Sequence, residues 1–191
     1  MRTIPALAAA LALALSFAVP AAAQNAEIGG DFVLKTVDGE PFGSENLKDR
    51  PYALFFGFTH CPEVCPMALA EITFSLQSLG EDADLLTPVF VTVDPERDTG
   101  ERLKDYLGSF DERIVGLRGS EDEIAAVARA FRATYRKVPT SGGDYTVDHT
   151  AIIYLIDDTG AFFDKIDYRE PYEAQLEKYR RLIDAHKAKD G

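Results

Sequence analysis

The most continuous apolar stretches of the chain predict the buried strands of a sheet. Residues 52–58 are almost entirely apolar or aromatic, which favours a central strand covered on both faces. Residues 89–93 form a second such stretch. Residues 151–156 and 161–166 flank the segment Asp157-Asp158-Thr159-Gly160, which is typical of a hairpin turn. We therefore predict two buried strands early in the chain and an antiparallel pair late in it.

Helical patterns separate and follow these strands. The first predicted helix has apolar side chains at near-helical spacing, namely Met67, Leu69, Ile72, Leu76 and Leu79. A second helix is predicted to begin at Asp98, three residues before Glu101, in a pattern like a capping box. Ser120 and Glu123 repeat this pattern for a third helix, and a C-terminal helix is predicted from about Pro171.

A hairpin is also predicted near the start of the chain. Residues 31–37 lead into Asp38-Gly39, a turn signal, and the chain resumes at residues 40–42. The predicted order is then hairpin, strand, helix, strand, helix, helix, strand pair and helix. This order matches an α/β fold, a thioredoxin-like three-layer sandwich with a central mixed sheet and an N-terminal hairpin.

The first residues have the pattern of a secretory signal peptide. Arg2 precedes an apolar stretch at residues 4–19, which is followed by Ala21-Ala22-Ala23. This stretch is shorter than the roughly 18 to 20 apolar residues that span a bilayer. We expect residues 1–23 to be a cleavable signal peptide, with an uncleaved anchor as the alternative. Residues 24–191 would then form one domain exported to the periplasm.

The charge of the chain narrows the classes of partner. The formal net charge is −12, which disfavours binding to nucleic acid or to an anionic membrane surface. The acidic charge of the protein could suit a cationic partner or a metal ion, although solubility explains most of these charges. The sequence contains no coiled-coil pattern or other self-association motif, so we expect a monomer.

The setting of the only two cysteines indicates a chemical role. Cys61 and Cys65 follow the predicted strand at residues 52–58, and Pro66 favours a helix that begins at Cys65. The N–H groups and the partial positive charge of a helix N-terminus favour the thiolate form. The spacing places the sulfurs about one turn apart. The pair can therefore chelate one soft ion or close a disulfide, and both outcomes stay open.

A histidine far along the chain is the third candidate. His149 directly precedes the predicted strand at residues 151–156. In a thioredoxin-like arrangement the loop before this strand lies beside the cysteine loop, so His149 can reach both sulfurs. Two thiolates and one imidazole suit copper(I) or copper(II), and could also suit zinc. Asp148 is expected either to orient His149 as a hydrogen-bond acceptor or to begin the strand. A capping or solvated histidine is the alternative.

Three segments of the chain resemble the signatures of the Sco/SenC family, in the same order. They are Gly57-Phe58-Thr59-His60-Cys61-Pro62-Glu63-Val64-Cys65-Pro66, Val93-Asp94-Pro95-Glu96-Arg97-Asp98-Thr99, and Asp148-His149-Thr150 with Tyr154-Leu155-Ile156-Asp157. The resemblance implies a thioredoxin-like domain that binds one copper ion through Cys61, Cys65 and His149. It also implies that Asp94 supports the cysteines, with a plain turn residue as the alternative.

The same resemblance implies a role in building the binuclear copper centre of cytochrome c oxidase. The protein would deliver copper to the copper-bearing oxidase subunit, reduce the cysteines of that subunit, or do both. Other periplasmic copper carriers or thiol reductants are further partners that this role implies. Many family members keep a membrane anchor, and the N-terminus of this chain departs from that pattern.

A thiol–disulfide oxidoreductase is the main alternative, so whether the protein is an enzyme stays open. Cys61 would attack a partner disulfide and Cys65 would resolve the mixed disulfide. Two features count against this alternative. Three residues separate these cysteines, where thioredoxins have two. Thioredoxins also have a cis-proline before the corresponding late strand, whereas this chain has His149 and Thr150 there. A thiol peroxidase, the third option, would not explain the cysteine pair or the histidine.

Four further side chains near these motifs are given secondary roles. Asp98 is expected to cap a helix, and Arg97 is expected to be solvated. His60 could tune the pKa of Cys61 or lend a transient ligand. Met67 is expected to pack in the helix that follows the cysteines.

Overall fold

A mixed sheet of seven strands forms the centre of the structure, a computed structural model that describes residues 28–190. Two further strands form a separate small sheet. In chain order, the strands of both sheets are β1 (Val33–Thr36), β2 (Pro41–Gly43), β3 (Tyr52–Gly57), β4 (Thr87–Thr92), β5 (Val115–Arg118), β6 (Tyr135–Pro139), β7 (Tyr145–His149), β8 (Ile152–Ile156) and β9 (Phe162–Asp167). The helices are α1 (Val64–Leu79), α2 (Gly100–Leu107), α3 (Glu121–Ala130) and α4 (Tyr172–Asp190). The strand order is β2-β1-β5-β4-β3-β8-β9, and β6 pairs with β7 in a separate two-stranded sheet.

The most apolar predicted strand lies in the middle of this sheet. All six residues of β3 are buried, because β3 pairs in parallel with β4 on one side and antiparallel with β8 on the other. The antiparallel pairs β1–β2 and β8–β9 confirm the two predicted hairpins. The predicted thioredoxin-like α/β fold with a mixed sheet is thus confirmed.

Two parts of the sheet architecture were not predicted. The short strand β5 lies between β4 and β1, although its sequence Val-Gly-Leu-Arg has only two clearly apolar side chains. The hairpin of β6 and β7 has charged side chains at Arg136, Lys137 and Asp148, which hide its strand pattern. The prediction that His149 lies in a loop is therefore wrong, because His149 is the last residue of β7.

The predicted helix starts are close to the observed ones, with one change of role. Helix α1 begins at Val64, one residue before the predicted start. Ser120 and Glu123 form the predicted capping box of α3. The N-cap of α2 is Thr99, whose hydroxyl accepts a hydrogen bond from the Arg102 N–H group. The prediction that Asp98 is this N-cap is therefore wrong.

The predicted signal peptide at residues 1–23 lies outside the described residues. Within residues 28–190, no helix combines the length and the apolar character that a membrane crossing requires. The assignment of residues 24–191 to one exported domain stays a prediction.

Candidate metal centre

The structure brings the two predicted sulfurs and the predicted imidazole together. The ligand atoms of Cys61, Cys65 and His149 all lie within 4.8 Å of one another. Cys65 Sγ lies 3.4 Å from His149 Nε2, although 84 positions separate the two residues in the chain. This proximity follows from the sheet, because β3 leads into the cysteine loop and pairs with β8, the strand that directly follows His149.

The start of α1 fixes the spacing of the two sulfurs. Cys65 lies in the first turn of the helix, and its backbone N–H donates a hydrogen bond of 3.3 Å to Cys61 Sγ. At Gly57, a side chain would meet the Phe90 ring at 2.6 Å and Cys65 Sγ at 3.0 Å. Glycine therefore lets the end of β3 pass close to the buried sulfur.

The imidazole of His149 is held in one orientation. Its Nδ1 atom lies 3.1 Å from the carbonyl oxygen of Thr150, and since a carbonyl only accepts, Nδ1 carries the proton. In the neutral ring, Nε2 then has a free lone pair, which faces Cys65 Sγ. The rings of Phe55 and Phe58 contact the imidazole edge-to-face, at centroid distances of 6.2 and 5.7 Å. This packing restricts rotation of the ring.

The prediction that Asp148 orients His149 is wrong. The Thr150 carbonyl makes that contact instead, and the Asp148 carboxylate pairs with the Arg136 guanidinium at 2.9 Å. Successive side chains of a strand point to opposite faces, so Asp148 lies on the outer face of the hairpin, where it is exposed.

The two thiols differ strongly in acidity. A hydrogen bond from Cys65, together with hydrogen bonds from backbone N–H groups, outweighs burial and lowers the pKa of Cys61 to about 4. The hydrogen bond to Cys61 and burial raise the pKa of Cys65 well above its ordinary value. Cys61 is half-buried and Cys65 is buried, and neither is in a disulfide. The site thus pairs a half-buried thiolate, Cys61, with a buried thiol, Cys65.

Asp98 fixes the loop that leads to the cysteines. Its buried carboxylate accepts hydrogen bonds from the backbone N–H of Thr59 at 3.1 Å and from the Thr59 hydroxyl at 2.6 Å. The Thr92 hydroxyl, at the end of β4, donates a third bond of 2.5 Å. Sequence reasoning missed this role because the position of Asp98 before Glu101 also fitted a helix cap.

Asp94 faces the hairpin of β6 and β7. Its fully buried carboxylate accepts a hydrogen bond of 2.5 Å from Arg97 Nε and one of 2.8 Å from the Tyr145 hydroxyl. The prediction that Arg97 is solvated is wrong, since its side chain is only 16% exposed. Asp94 thus contacts the hairpin that ends at His149, and the predicted support of the cysteines by Asp94 stays a prediction.

Two other side chains near the cysteines have clear positions. Arg102 Nη1 lies 2.9 Å from His60 Nε2, so the Arg102 guanidinium donates to the lone pair that His60 would need as a ligand. Met67 is 41% exposed on α1, so the prediction of a packed methionine is wrong.

An open depression of about 240 Å³ gives access to the site, and its walls include Phe58, Cys61, Val147 and His149. A partner can thus approach Cys61 and His149, whereas Cys65 lies beneath them. The two sulfurs suit copper(I), and the added imidazole nitrogen helps the site to bind copper(II).

The fold and the site define a thioredoxin-like protein with a dithiol and an imidazole at the start of its first long helix. The chain belongs to the SCO1/SenC family, whose model matches residues 20–184. This match confirms the resemblance that the sequence motifs indicated.

Individual relatives support the same assignment. The mitochondrial protein SCO2 of Saccharomyces cerevisiae is 38% identical over 167 residues, which cover 85% of this chain and 55% of that protein. The chain thus spans about half the length of this relative. The structure of Bradyrhizobium japonicum ScoI with copper bound is 44% identical, with a TM-score of 0.75, and the match covers 81% of this chain and 99% of that one. The structure of yeast Sco1 with copper bound is 32% identical, with a TM-score of 0.76, and covers 83% and 89%.

Proposed function

We propose that this protein carries copper for the assembly of cytochrome c oxidase. It binds one copper ion through Cys61, Cys65 and His149, and the recipient is the copper-bearing subunit of the oxidase. The observation that carries this proposal is the convergence of two sulfurs and one imidazole nitrogen within 4.8 Å. Membership of the SCO1/SenC family and the copper-bound structures of two relatives support it.

The geometry suits capture and release of copper rather than permanent binding. Cys61 is ionised at neutral pH, so it can take the ion first, and Cys65 then loses its proton as it joins. A recipient ligand can enter beside Cys61 from the open depression and replace the donors one at a time. The N-terminal pattern of residues 1–23 supports export to the periplasm as the place of this transfer.

A metal titration tests this proposal. Reduced protein is expected to bind one equivalent of copper(I) or copper(II), measured by competition with a chelator of known affinity. His149→Ala is expected to weaken copper(II) about 10- to 100-fold and copper(I) less, because nitrogen ligands matter more to copper(II). His186→Ala is the matched control, since His186 pairs with Asp158 away from the cysteines. Equal copper(II) affinity in wild type and His149→Ala would contradict the proposed ligand set.

The different acidities of the two thiols favour a second candidate function, reduction of a disulfide between the cysteines of the oxidase subunit. The Cys61 thiolate would attack a disulfide sulfur of the partner and release one partner thiolate. Cys65 would then give up its proton and attack Cys61, which forms the Cys61–Cys65 disulfide and releases the second partner thiolate. Two electrons thus pass to the partner. A metal-free reductase assay with a disulfide peptide, with Cys65→Ser trapping the mixed disulfide, separates this function from copper transfer.

A further inference from the structure

The hairpin of β6 and β7 is a small, separate sheet that ends at the metal centre. Its strands pair only with each other among the described strands, and they are not part of the seven-stranded sheet. Two-stranded hairpins are only marginally stable alone, so side-chain contacts with the rest of the domain must hold this one in place. The position of His149 depends on those contacts.

The face of the hairpin that points into the protein carries His149 at one end and Tyr145 at the other. Residues 145, 147 and 149 lie on the same face, because side chains alternate along a strand. Val147, between the two, is 5% exposed and belongs to the hydrophobic core. Tyr145 and His149 are thus joined by a short strand whose middle residue is packed in the core.

Three side chains, Asp94, Arg97 and Tyr145, hold that distant end, and we call them the clamp. The Arg97 guanidinium lies over the Tyr145 ring, with 3.7 Å from its carbon to the ring centroid, and Nη1 donates to the Tyr145 carbonyl at 2.8 Å. The buried Asp94 carboxylate accepts from both partners, as described above. Arg97 and Asp94 both belong to the turn after β4, so the clamp ties the hairpin to the central sheet.

A second ion pair joins the same two segments. Lys137 of β6 lies 2.5 Å from the Glu96 carboxylate and 4.9 Å from the centroid of the Tyr145 ring. This pair is more exposed than the one between Arg97 and Asp94, and exposed ion pairs contribute little stability. Removal of one partner of the buried clamp is therefore expected to cost more stability than removal of one partner of the exposed pair.

We infer that the clamp is a positioning element that sets His149 against the two sulfurs. The site then binds copper(II) more tightly than two thiolates alone would bind it. This inference rests on the proposed function. Metal ligands need close angular control, and residues that orient a ligand commonly affect metal affinity about 10- to 100-fold. Arg97 and Tyr145 act only through the place they give to the imidazole.

Variants of Tyr145 test the clamp in full-length reduced protein. Tyr145→Ala removes the stacking and the hydroxyl, and is expected to weaken copper(II) at least about tenfold and copper(I) less than about threefold. Tyr145→Phe keeps the ring under Arg97 and is expected to retain most of the affinity. Arg136→Gln is the matched control on the outer face of the same hairpin, where it breaks only the exposed pair with Asp148. Its copper(II) affinity is expected to stay within about twofold of wild type.

The spectrum of the copper(II) form separates positioning from a general loss of stability. Tyr145→Ala is expected to change the thiolate-to-copper(II) absorption band and the paramagnetic resonance parameters, and Tyr145→Phe is expected to restore the wild-type values. In the His149→Ala background, Tyr145→Ala is expected to have no further effect on copper(II) affinity. A full tenfold additional loss in that background would overturn the inference, because the clamp would then act without the imidazole.

The outcomes for the clamp and for the proposed function are distinct. If wild type binds no copper, the proposed function fails. If wild type binds copper with the expected affinity and spectrum and Tyr145→Ala behaves identically, the proposed function stands and the clamp inference fails. Should Tyr145→Ala not fold, Arg97→Lys is measured in its place, since lysine keeps the charge beside Asp94 but loses the guanidinium that lies over the Tyr145 ring.

Discussion

Cys61 and Cys65 carry the same side chain in two different environments, and this difference decides which sulfur reacts first. The hydrogen bond between them stabilises one as the thiolate and the other as the thiol. The start of α1 also stabilises the Cys61 thiolate, because the Cys65 N–H group donates a hydrogen bond to Cys61 Sγ. Reaction of this site with an electrophile is therefore expected to begin at Cys61.

The acidity of Cys61 gives a direct prediction. In reduced, metal-free protein the rate of Cys61 alkylation by iodoacetamide is expected to be half-maximal at a pH equal to the Cys61 pKa of about 4. The rate is expected to be constant around neutral pH. Cys65→Ala removes the hydrogen bond to the thiolate, so the midpoint is expected to rise toward that of an ordinary cysteine, about 8.5. Mass spectrometry of timed samples follows the modification. A wild-type midpoint near the ordinary value would contradict the proposed pairing of the sulfurs.

At the scale of elements, one turn organises both halves of the metal centre. The turn after β4 carries Asp98, which holds the cysteine loop, and Asp94, which holds the hairpin of β6 and β7. Both carboxylates are fully buried. Buried acceptors of this kind are costly unless their donors are in place, so the cysteine loop, the hairpin of β6 and β7 and the turn after β4 are expected to order together.

The role of Asp98 can be measured as stability. Asp98→Ala leaves the Thr59 N–H and the Thr92 hydroxyl without their acceptor, and is expected to lower the free energy of unfolding by about 2 to 4 kcal/mol. Denaturant titration of the reduced, metal-free protein measures the change. Asp38→Ala is the control, because Asp38 pairs with Lys104 at the surface, and little change is expected there. Equal effects of the two substitutions would show that Asp98 does not hold the loop.

At the scale of the whole molecule, the metal centre joins two separate sheets. The cysteines belong to the loop and helix that follow β3, and His149 ends the two-stranded hairpin. An ion bound by all three residues would bridge these parts, as the proposed function requires. Such binding stabilises the folded state, since the unfolded chain does not hold the three donors together.

Copper is therefore expected to raise the stability of the reduced protein. With free copper(I) at about 100 times its dissociation constant, the free energy of unfolding is expected to increase by about 2.7 kcal/mol. Denaturant midpoints are compared with and without the metal, in a buffer that keeps copper(I) reduced. The variant Cys61→Ser with Cys65→Ser is expected to show no increase. Tight copper binding in wild type without any gain in stability would show that the ion does not bridge the two parts.

Local sequence patterns determined much of this protein. The apolar stretches of β3, β4 and β8 predicted the centre of the sheet, because strands covered on both faces need apolar side chains throughout. The cysteines at the end of a strand and the start of a helix predicted a reactive dithiol, since the helix terminus supplies N–H groups whatever surrounds it. The distant histidine entered the site once the predicted fold placed it beside the cysteine loop.

Only the tertiary structure decided how that histidine is held. The hairpin of β6 and β7 alternates charged and apolar side chains too irregularly to predict as strands, and its shape depends on contacts with the turn after β4. Arg97 and Asp98 were assigned to solvent and to a helix cap, because neighbours in the sequence cannot reveal partners far along the chain, such as Tyr145 and Thr59. Side-chain chemistry and periodicity are local properties, whereas burial and the pairing of distant polar groups arise only when the chain is packed.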